Sequence, residues 1–247
     1  MFEKKNLDFE DFKKLAKDKE LSKYEKIGFF NHLRKGFEKI IFKDILRKLT
    51  NLEKSGQVIL DIGAGCSDLP MMLIEHCQTH GHTLILIDSE DMLDLLPDKD
   101  FIVKVSGQFP LDMQDFIDSF RGKVDVILSY SVFHYVFDSL PYNSFVDQAI
   151  SLLADEGQFL LGDLPNFNKK NRFFNSEAGV RYHQENSKED SLPKLDNYTL
   201  PYNTMDDGVI YGLLSRARNS GIESYLMPQP QELPMGNRRE DILFVKH

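Results

Sequence analysis

Residues 58–68 read Val58-Ile59-Leu60-Asp61-Ile62-Gly63-Ala64-Gly65-Cys66-Ser67-Asp68. An aliphatic run carrying one carboxylate meets two glycines one residue apart and passes into a helix-like segment, Leu69–His80. Apolar runs without polar alternation suit a strand covered on both faces, as in a parallel sheet. Glycines at 63 and 65 let the backbone turn tightly and approach a ligand, and the start of the following helix offers free N–H groups. Strand, glycine turn and helix in this order predict a nucleotide-type pocket, although a Gly-x-Gly alone is a weak signal.

The same pattern spreads outward along the chain. Short apolar runs recur at Thr83–Ile87, Phe101–Val105, Val124–Leu128 and Gln158–Leu161, separated by helix-like segments at Glu90–Leu96, Leu111–Phe120 and Asn143–Leu153. Repeated strand–helix alternation predicts an α/β fold with a doubly wound, mostly parallel sheet. Two last runs, Glu223–Met227 and Asp241–Val245, are expected to pair as an antiparallel C-terminal hairpin, completing seven strands. Met205–Asn219 carries apolar residues on one helical face, and Gly221 closes it. Upstream, apolar residues from Leu33 to Leu49 recur at helical spacing, Leu7–Leu21 forms a shorter Lys-rich helix, and Lys26-Ile27-Gly28-Phe29-Phe30 makes a turn between them. Pro165, Pro193 and Pro201 interrupt the alternation over residues 165–205, which points to an irregular lid or binding loop. The expected organisation is an N-terminal helical cap over residues 1–55 and a Rossmann-like domain over 56–247 with a lid-like insertion at 165–205.

Composition narrows the function. The chain has 247 residues, 41% of them hydrophobic, and a net charge of −9. An acidic chain is a poor partner for nucleic acid, where phosphate contacts demand a basic surface. The charge is uneven: residues 1–50 hold 14 Lys and Arg against 9 Asp and Glu, leaving −14 on the remainder. That asymmetry serves either an anionic substrate or a solvated helix surface. No stretch approaches the ~20 apolar residues of a membrane span, and Met1-Phe2-Glu3-Lys4-Lys5 leads into no signal core, so a cytoplasmic protein without a membrane partner is expected. Cys66 and Cys77, if on one helix, lie too far apart for a disulfide and are read as free thiols. His76, His80 and His82 near Gly81 suit a helix C-terminus; no Glu follows the first His as a zinc-protease motif requires, so no metal is expected. Self-association stays open.

A second element, Leu84-Ile85-Leu86-Ile87-Asp88, ends the next strand on a carboxylate. In such sheets ligands lie outside the carboxyl ends of the strands, where Asp88 would face the glycine turn and accept from ribose hydroxyls. It would equally serve as an N-cap for Ser89 onward.

On these residues the chain resembles the class I S-adenosylmethionine-dependent methyltransferases, over roughly residues 56–164 and more loosely to the C-terminus. Asp61-Ile62-Gly63-Ala64-Gly65 matches the family's first motif; its third glycine position is Cys66 here. The resemblance implies S-adenosylmethionine as cofactor, with Asp61, Gly63, Ala64 and Gly65 along its methionine part, Asp88 and Ser89 at the ribose, and Met92, Gly107, Gln108 and Phe109 near the adenine. Ser129-Tyr130-Ser131-Val132-Phe133-His134-Tyr135 looks like the fourth motif and would border the methyl group. A nicotinamide-dependent oxidoreductase is the competitor, but the last position of its glycine fingerprint is Asp68, a carboxylate where a pyrophosphate would lie. A third possibility is a cofactor-binding relative without turnover.

Methyl transfer needs alignment, dryness and a lone pair on the acceptor. His134 is the first candidate for a general base, with a structural role equally weighted. Tyr130 and Tyr135 could orient the acceptor or face the sulfonium, and Asp163, at the end of the fifth strand, could bind an acceptor amine or hydroxyl. Asn or Asp followed by two prolines and an aromatic, the signature of base amino-methylation, is absent after the fourth strand. A small-molecule acceptor follows. The layout, including Gly162-Asp163-Leu164-Pro165-Asn166 and Asn237-Arg238-Arg239-Glu240-Asp241, is similar to methyltransferases of bacterial surface-sugar biosynthesis. That resemblance implies an N or O acceptor on a modified or nucleotide-linked sugar, with Tyr135, Asn166, Arg34 and Arg172 as substrate-binding candidates and Arg238 and Arg239 as further ones.

Overall fold

The computed structural model describes residues 7–111, 113–187, 191–193 and 204–247. Helices α1 (Phe9–Lys17), α2 (Lys23–Lys26), α3 (Asn31–Arg34) and α4 (Glu38–Lys48) precede the sheet. Capping boxes begin the first two: Asp8 accepts from the Asp11 N–H and Ser22 from the Glu25 N–H, each with the return bond in place. The helix expected from Leu33 starts later, because Gly36 takes a left-handed φ of +89° that interrupts it ahead of α4.

Strands β1 (Val58–Ile62), β2 (Thr83–Asp88), β3 (Ile102–Ser106), β4 (Val124–Tyr130), β5 (Leu153–Pro165), β6 (Glu223–Pro228) and β7 (Arg239–Val245) form one sheet in the order β3-β2-β1-β4-β5-β7-β6. The first five are parallel, while β7 runs antiparallel to both β5 and β6. The expected closing hairpin is therefore present, with its second strand inserted between β5 and its first. Helices α5 (Asp68–His80), α6 (Glu90–Leu93), α7 (Gln114–Phe120), α8 (Phe133–Ser139), α9 (Tyr142–Leu152) and α12 (Asp207–Asn219) flank the sheet. Among the described residues no helix is long and apolar enough to cross a membrane.

Alternation within each strand explains why the aliphatic runs are continuous. Leu60, Ile85 and Ile127 belong to the core shared with Ile117, Phe145, Ala149 and Leu213 of α7, α9 and α12. Their neighbours Ile59, Leu84, Leu86 and Val126 join Ile41, Ile45, Leu73 and Cys77 of α4 and α5 on the opposite face. Both faces of the central strands β1, β2 and β4 thus meet a helix layer, where polar alternation would bury unpaired groups.

The described part of residues 165–205 departs from the expected irregular loop. Asn166 accepts from the Lys169 N–H and starts α10 (Phe167–Phe174), and α11 (Glu177–Ser187) follows. The Asn cap outweighed the composition of the segment. Lys188-Glu189-Asp190 and Pro201 of that stretch lie outside the described residues.

Candidate functional site

The strand order reverses between β1 and β4, and a cleft lies at their carboxyl ends. That is the switch point where doubly wound sheets hold ligands. Its floor is the glycine turn. Gly63 and Gly65 take φ values of +77° and +64°, and a Cβ at either would lie 2.6 Å from Val132 Cγ2 or 2.7 Å from Ile27 Cγ2. Both glycines are thus required by backbone conformation and by close approach.

The hydrogen bonds of this turn are already committed. Gly63 N and Ala64 N donate to Ile87 O at 2.8 and 3.3 Å, and Gly65 N donates to Asp88 Oδ2 at 2.9 Å. Asp88 Oδ1 also accepts from Ser89 N at 2.7 Å, while Ser89 itself caps α6 through Met92 N. Burial pushes the Asp88 carboxyl up against these backbone donors. Asp61 is 4% exposed, lines the cleft and has no hydrogen bond or ion pair to any described residue. Burial, with the Asp88 charge added, pushes its carboxyl up to about 8. The cofactor side therefore carries two carboxyl groups, and the N–H groups of Gly63, Ala64 and Gly65 are already used, an arrangement for a cationic ligand with hydroxyls.

The N-terminal helices roof the cleft with Phe9, Phe12, Ile27 and Phe29. Cys66, at the third motif position, is buried beneath this roof with Ala16 and Met92 against Phe12 and Ile27. The roof is tied to the helices behind the two ligand loops: Lys23 pairs with Asp68, Tyr24 Oη donates to Asp68 Oδ2 at 2.7 Å, and Lys17 pairs with Asp91 at 3.2 Å. The basic first fifty residues thus meet acidic helix starts.

Beyond the glycine turn, β4 and β5 end in a buried polar network. Arg34 Nε donates to Glu38 Oε1 at 2.9 Å and its Nη1 to Ser131 Oγ at 3.1 Å. Ser131 donates to Asp163 Oδ2, which also receives Arg239, and Gln229 Nε2 reaches Asp163, Asp241 and the Tyr130 hydroxyl. Burial raises the Asp163 carboxyl, but Arg239, Arg34 and the Ser131 bond outweigh it and hold it below the ordinary carboxylate range. Burial drives the Tyr130 phenol well up and the Tyr135 phenol to about 12, so both stay protonated as donors.

No family profile matches the chain, and no curated protein matches it by sequence. Solved structures do match. A SAM-dependent methyltransferase from Aquifex aeolicus superposes with a TM-score of 0.55 at 13% identity, covering 92% of this chain and all 100% of its own. The plantazolicin methyltransferase BpumL, in complex with a monoazolic desmethylPZN analog and SAH, gives 0.59 at 13% identity over 96% and 98%. The N-methyltransferase NodS of Bradyrhizobium japonicum WM9, with S-adenosyl-L-homocysteine, gives 0.57 at 12% over 96% and 97%. The fold is that of the SAM-dependent methyltransferases.

On this methyltransferase fold the cleft wall gathers Asp61, Gly63, Ala64, Gly65, Asp88, Met92, Gly107, Gln108, Phe109, Tyr130, Tyr135 and Arg34. Ser89 lies behind Asp88 as a helix cap. Ser129 is fully buried on the other face of β4 from Tyr130, and its Oγ has no hydrogen-bond partner. His134, on α8, packs its ring 3.9 Å from that of Tyr135 and is not on the cleft wall. Asp163 lines a smaller neighbouring cavity with Arg34, Tyr130 and Gln229. Asn166 caps α10 and donates to Asp207 and Glu240, while Arg172 is paired with Asp207 on the surface. Arg238 stands over the Phe174 ring, and Arg239 is held by Asp163. The aromatic roof is what motif reading missed; Phe9 and Phe12, three apart on α1, were its only signal. His76, His80 and His82 meet where α5 ends and β2 begins, on the sheet edge away from the cleft. Each is hydrogen-bonded to backbone, His82 on both nitrogens, between Gln57 N and Leu52 O.

Proposed function

We propose that the protein transfers a methyl group from S-adenosylmethionine to a nitrogen or oxygen of a small molecule. The observation that carries this is Asp61, a buried carboxyl group facing the cleft without a hydrogen-bond partner, beside Gly63, Ala64 and Gly65, whose N–H groups are spent. The cofactor's methionine ammonium and sulfonium match such a wall, and its ribose diol matches Asp88, which has lone pairs left. A dinucleotide pyrophosphate would meet the Asp61 and Asp88 carboxyl groups, and Gly63, Ala64 and Gly65 keep no N–H for it, unlike the open glycine loops of phosphate sites. The nicotinamide reading therefore loses ground.

Bound there, the cofactor supplies an electrophilic methyl group. The chain's own part is positional. Phe9, Phe12, Ile27 and Phe29 exclude water, and Tyr130 and Tyr135 offer hydroxyl donors on the acceptor side. Asp163 is assigned to orienting Ser131 and Arg239, and His134 to supporting the Tyr135 ring. A modified or nucleotide-linked sugar as acceptor rests on the resemblance of the C-terminal motifs, and aromatic walls accept sugar faces. Buried free thiols at Cys66 and Cys77 fit the expected cytoplasmic setting.

The test is parallel calorimetric titration with S-adenosylmethionine, S-adenosylhomocysteine and NAD. Micromolar binding of both adenosyl ligands, lost in Asp88→Ala, is expected. Binding of NAD alone overturns the proposal.

A further inference from the structure

The acceptor side of the cleft has a distinctive chemistry among the described residues. Apart from Asp61 and Asp88 on the cofactor side, Arg34 is the one charged group on the wall, and no imidazole lines it. Phe12, Phe29 and Phe145 with Tyr130 and Tyr135 also line it, adding apolar rings and hydroxyl donors. Arg34 is 4% exposed and lies over the Phe29 and Tyr130 rings at 4.9 and 5.5 Å. Two of its five N–H donors are used, Nε on Glu38 and Nη1 on Ser131, and Nη2 bonds to no described residue. A guanidinium cannot take a proton from an acceptor, and the two phenols are held protonated.

From this we infer that the acceptor atom is a carboxylate oxygen on a molecule with an apolar or aromatic body, anchored by Arg34, so that the product is a methyl ester. The inference rests on the methyltransferase reading and narrows its acceptor class. A carboxylate is already ionised at neutral pH, so the missing base is not needed. One carboxylate oxygen accepts from Arg34 while a lone pair of the other forms the new O–C bond. The methyl carbon leaves sulfur as its S–C bond breaks, and that electron pair stays on sulfur. The negative carboxylate and positive sulfonium give two neutral products, and no proton is released. An ammonium acceptor would instead meet a cation in an apolar chamber and would need a base to discard its proton. Arg34 therefore selects charge as well as position. Glu38 holds the guanidinium from the Nε side, so the unused Nη2 is fixed rather than searching.

The experiment uses the full-length protein saturated with S-adenosylhomocysteine. Phenylacetate, phenylacetamide, phenethylamine and 2-phenylethanol are titrated in, and the series is repeated with the naphthyl skeleton. The carboxylate of each series is expected to bind at least about tenfold tighter than its amide or amine, about 1.4 kcal/mol. Arg34→Met combined with Glu38→Gln removes both buried charges together; it should abolish that preference while leaving S-adenosylhomocysteine affinity within about twofold. Arg34→Lys keeps the charge without the planar fork and should retain part of it. With S-adenosylmethionine in place of the product, mass spectrometry should find the methyl ester and no N-methyl product. Equal binding of the four members in both skeletons, tighter binding of the amine, or an unchanged preference in R34M/E38Q overturns the inference and leaves the cofactor assignment standing. Failure of the wild type to bind S-adenosylhomocysteine at all overturns both.

Discussion

Ser131 Oγ lies 2.5 Å from Asp163 Oδ2, and both residues, at adjoining ends of β4 and β5, hold left-handed backbone with φ of +63° and +64°. Side-chain-bearing residues adopt that region at a cost of roughly 1–2 kcal/mol, and here the two strained positions are fastened to each other. The register of β5 against β7 shifts between Leu161 and Leu164, so the Asp163 carboxyl leaves the ladder and turns into the network with Arg239 and Gln229. Strain at this edge is offset by buried bonds and holds Arg34 in place through Ser131.

Removing the fastening tests it. Ser131→Ala deletes the bonds to two buried charges, Asp163 and Arg34, and should cost at least about 1.5–3 kcal/mol in urea unfolding at pH 7. Asp163→Asn leaves Arg239 buried without its counter-charge and should cost more, about 3–5 kcal/mol. The Asp163 carboxyl is lowered in the folded chain, so its contribution is present above the ordinary value of 3.8 and fades as pH falls through the folded one. The gap between wild type and Asp163→Asn should therefore narrow in acid. A gap constant from pH 7 to acid denaturation contradicts the assignment.

Asp61 behaves in the opposite sense. Its carboxyl is raised to about 8, so what it gives to folding is complete below 3.8 and is lost as pH rises through 8. Asp61→Asn should raise the melting temperature of the ligand-free protein at pH 8 and change it little at pH 4. Binding a ligand ammonium favours the ionised form, so S-adenosylhomocysteine should release close to one proton at pH 7 and almost none at pH 9.5. Calorimetry in buffers of different ionisation enthalpy measures this directly, and zero release at pH 7 contradicts an ammonium contact at Asp61.

The glycine turn allows a separation of strain from contact. Gly63→Ala places a Cβ 2.6 Å from Val132 Cγ2 at a φ of +77°. S-adenosylhomocysteine affinity should fall at least about tenfold, combining the conformational cost with displacement of α8. Val132→Ala added to Gly63→Ala should return only the contact part. Full recovery in the double variant would mean the left-handed backbone carries no cost there.

Much of this was legible in the residues. Val58–Ile62 and Thr83–Asp88 announce buried parallel strands because their aliphatic side chains meet helices on both faces, and Asp61, Gly63, Gly65 and Asp88 announce the pocket because turn geometry and strand ends are local properties. The roof was not legible. Phe9, Phe12 and Phe29 read as ordinary helix or turn residues, and only the path of α1 to α3 across the sheet edge turns them onto the cleft. His134 read as a base because it follows β4, but α8 starts at Phe133 and its rotation sends Tyr135, not His134, to the wall. Spacing along a chain does not give helix rotation when the helix begins inside the motif.

The roof itself is fastened by two ion pairs as well as by apolar contacts. Lys17 and Lys23 bracket the link between α1 and α2 and dock on Asp91 and Asp68, in the first turns of α6 and α5. Their side chains are 66% and 45% exposed, so each pair is worth only about 0.2–1 kcal/mol and is screened by salt. Against this, Ile27 over Gly65 and Cys66 under Phe12 and Ile27 are apolar contacts that salt does not weaken. If ligand exit requires the roof to lift, the dissociation rate of S-adenosylhomocysteine should rise about two- to fivefold between about 50 mM and 500 mM salt. Lys17→Glu with Lys23→Glu turns both attractions into repulsions and should speed dissociation at low salt beyond the high-salt wild-type rate, with salt now slowing it. Stopped-flow displacement reads both rates. A wild-type rate indifferent to salt, together with an unchanged rate in the charge-reversed chain, would mean that ligand leaves by a route that does not lift α1 and α2.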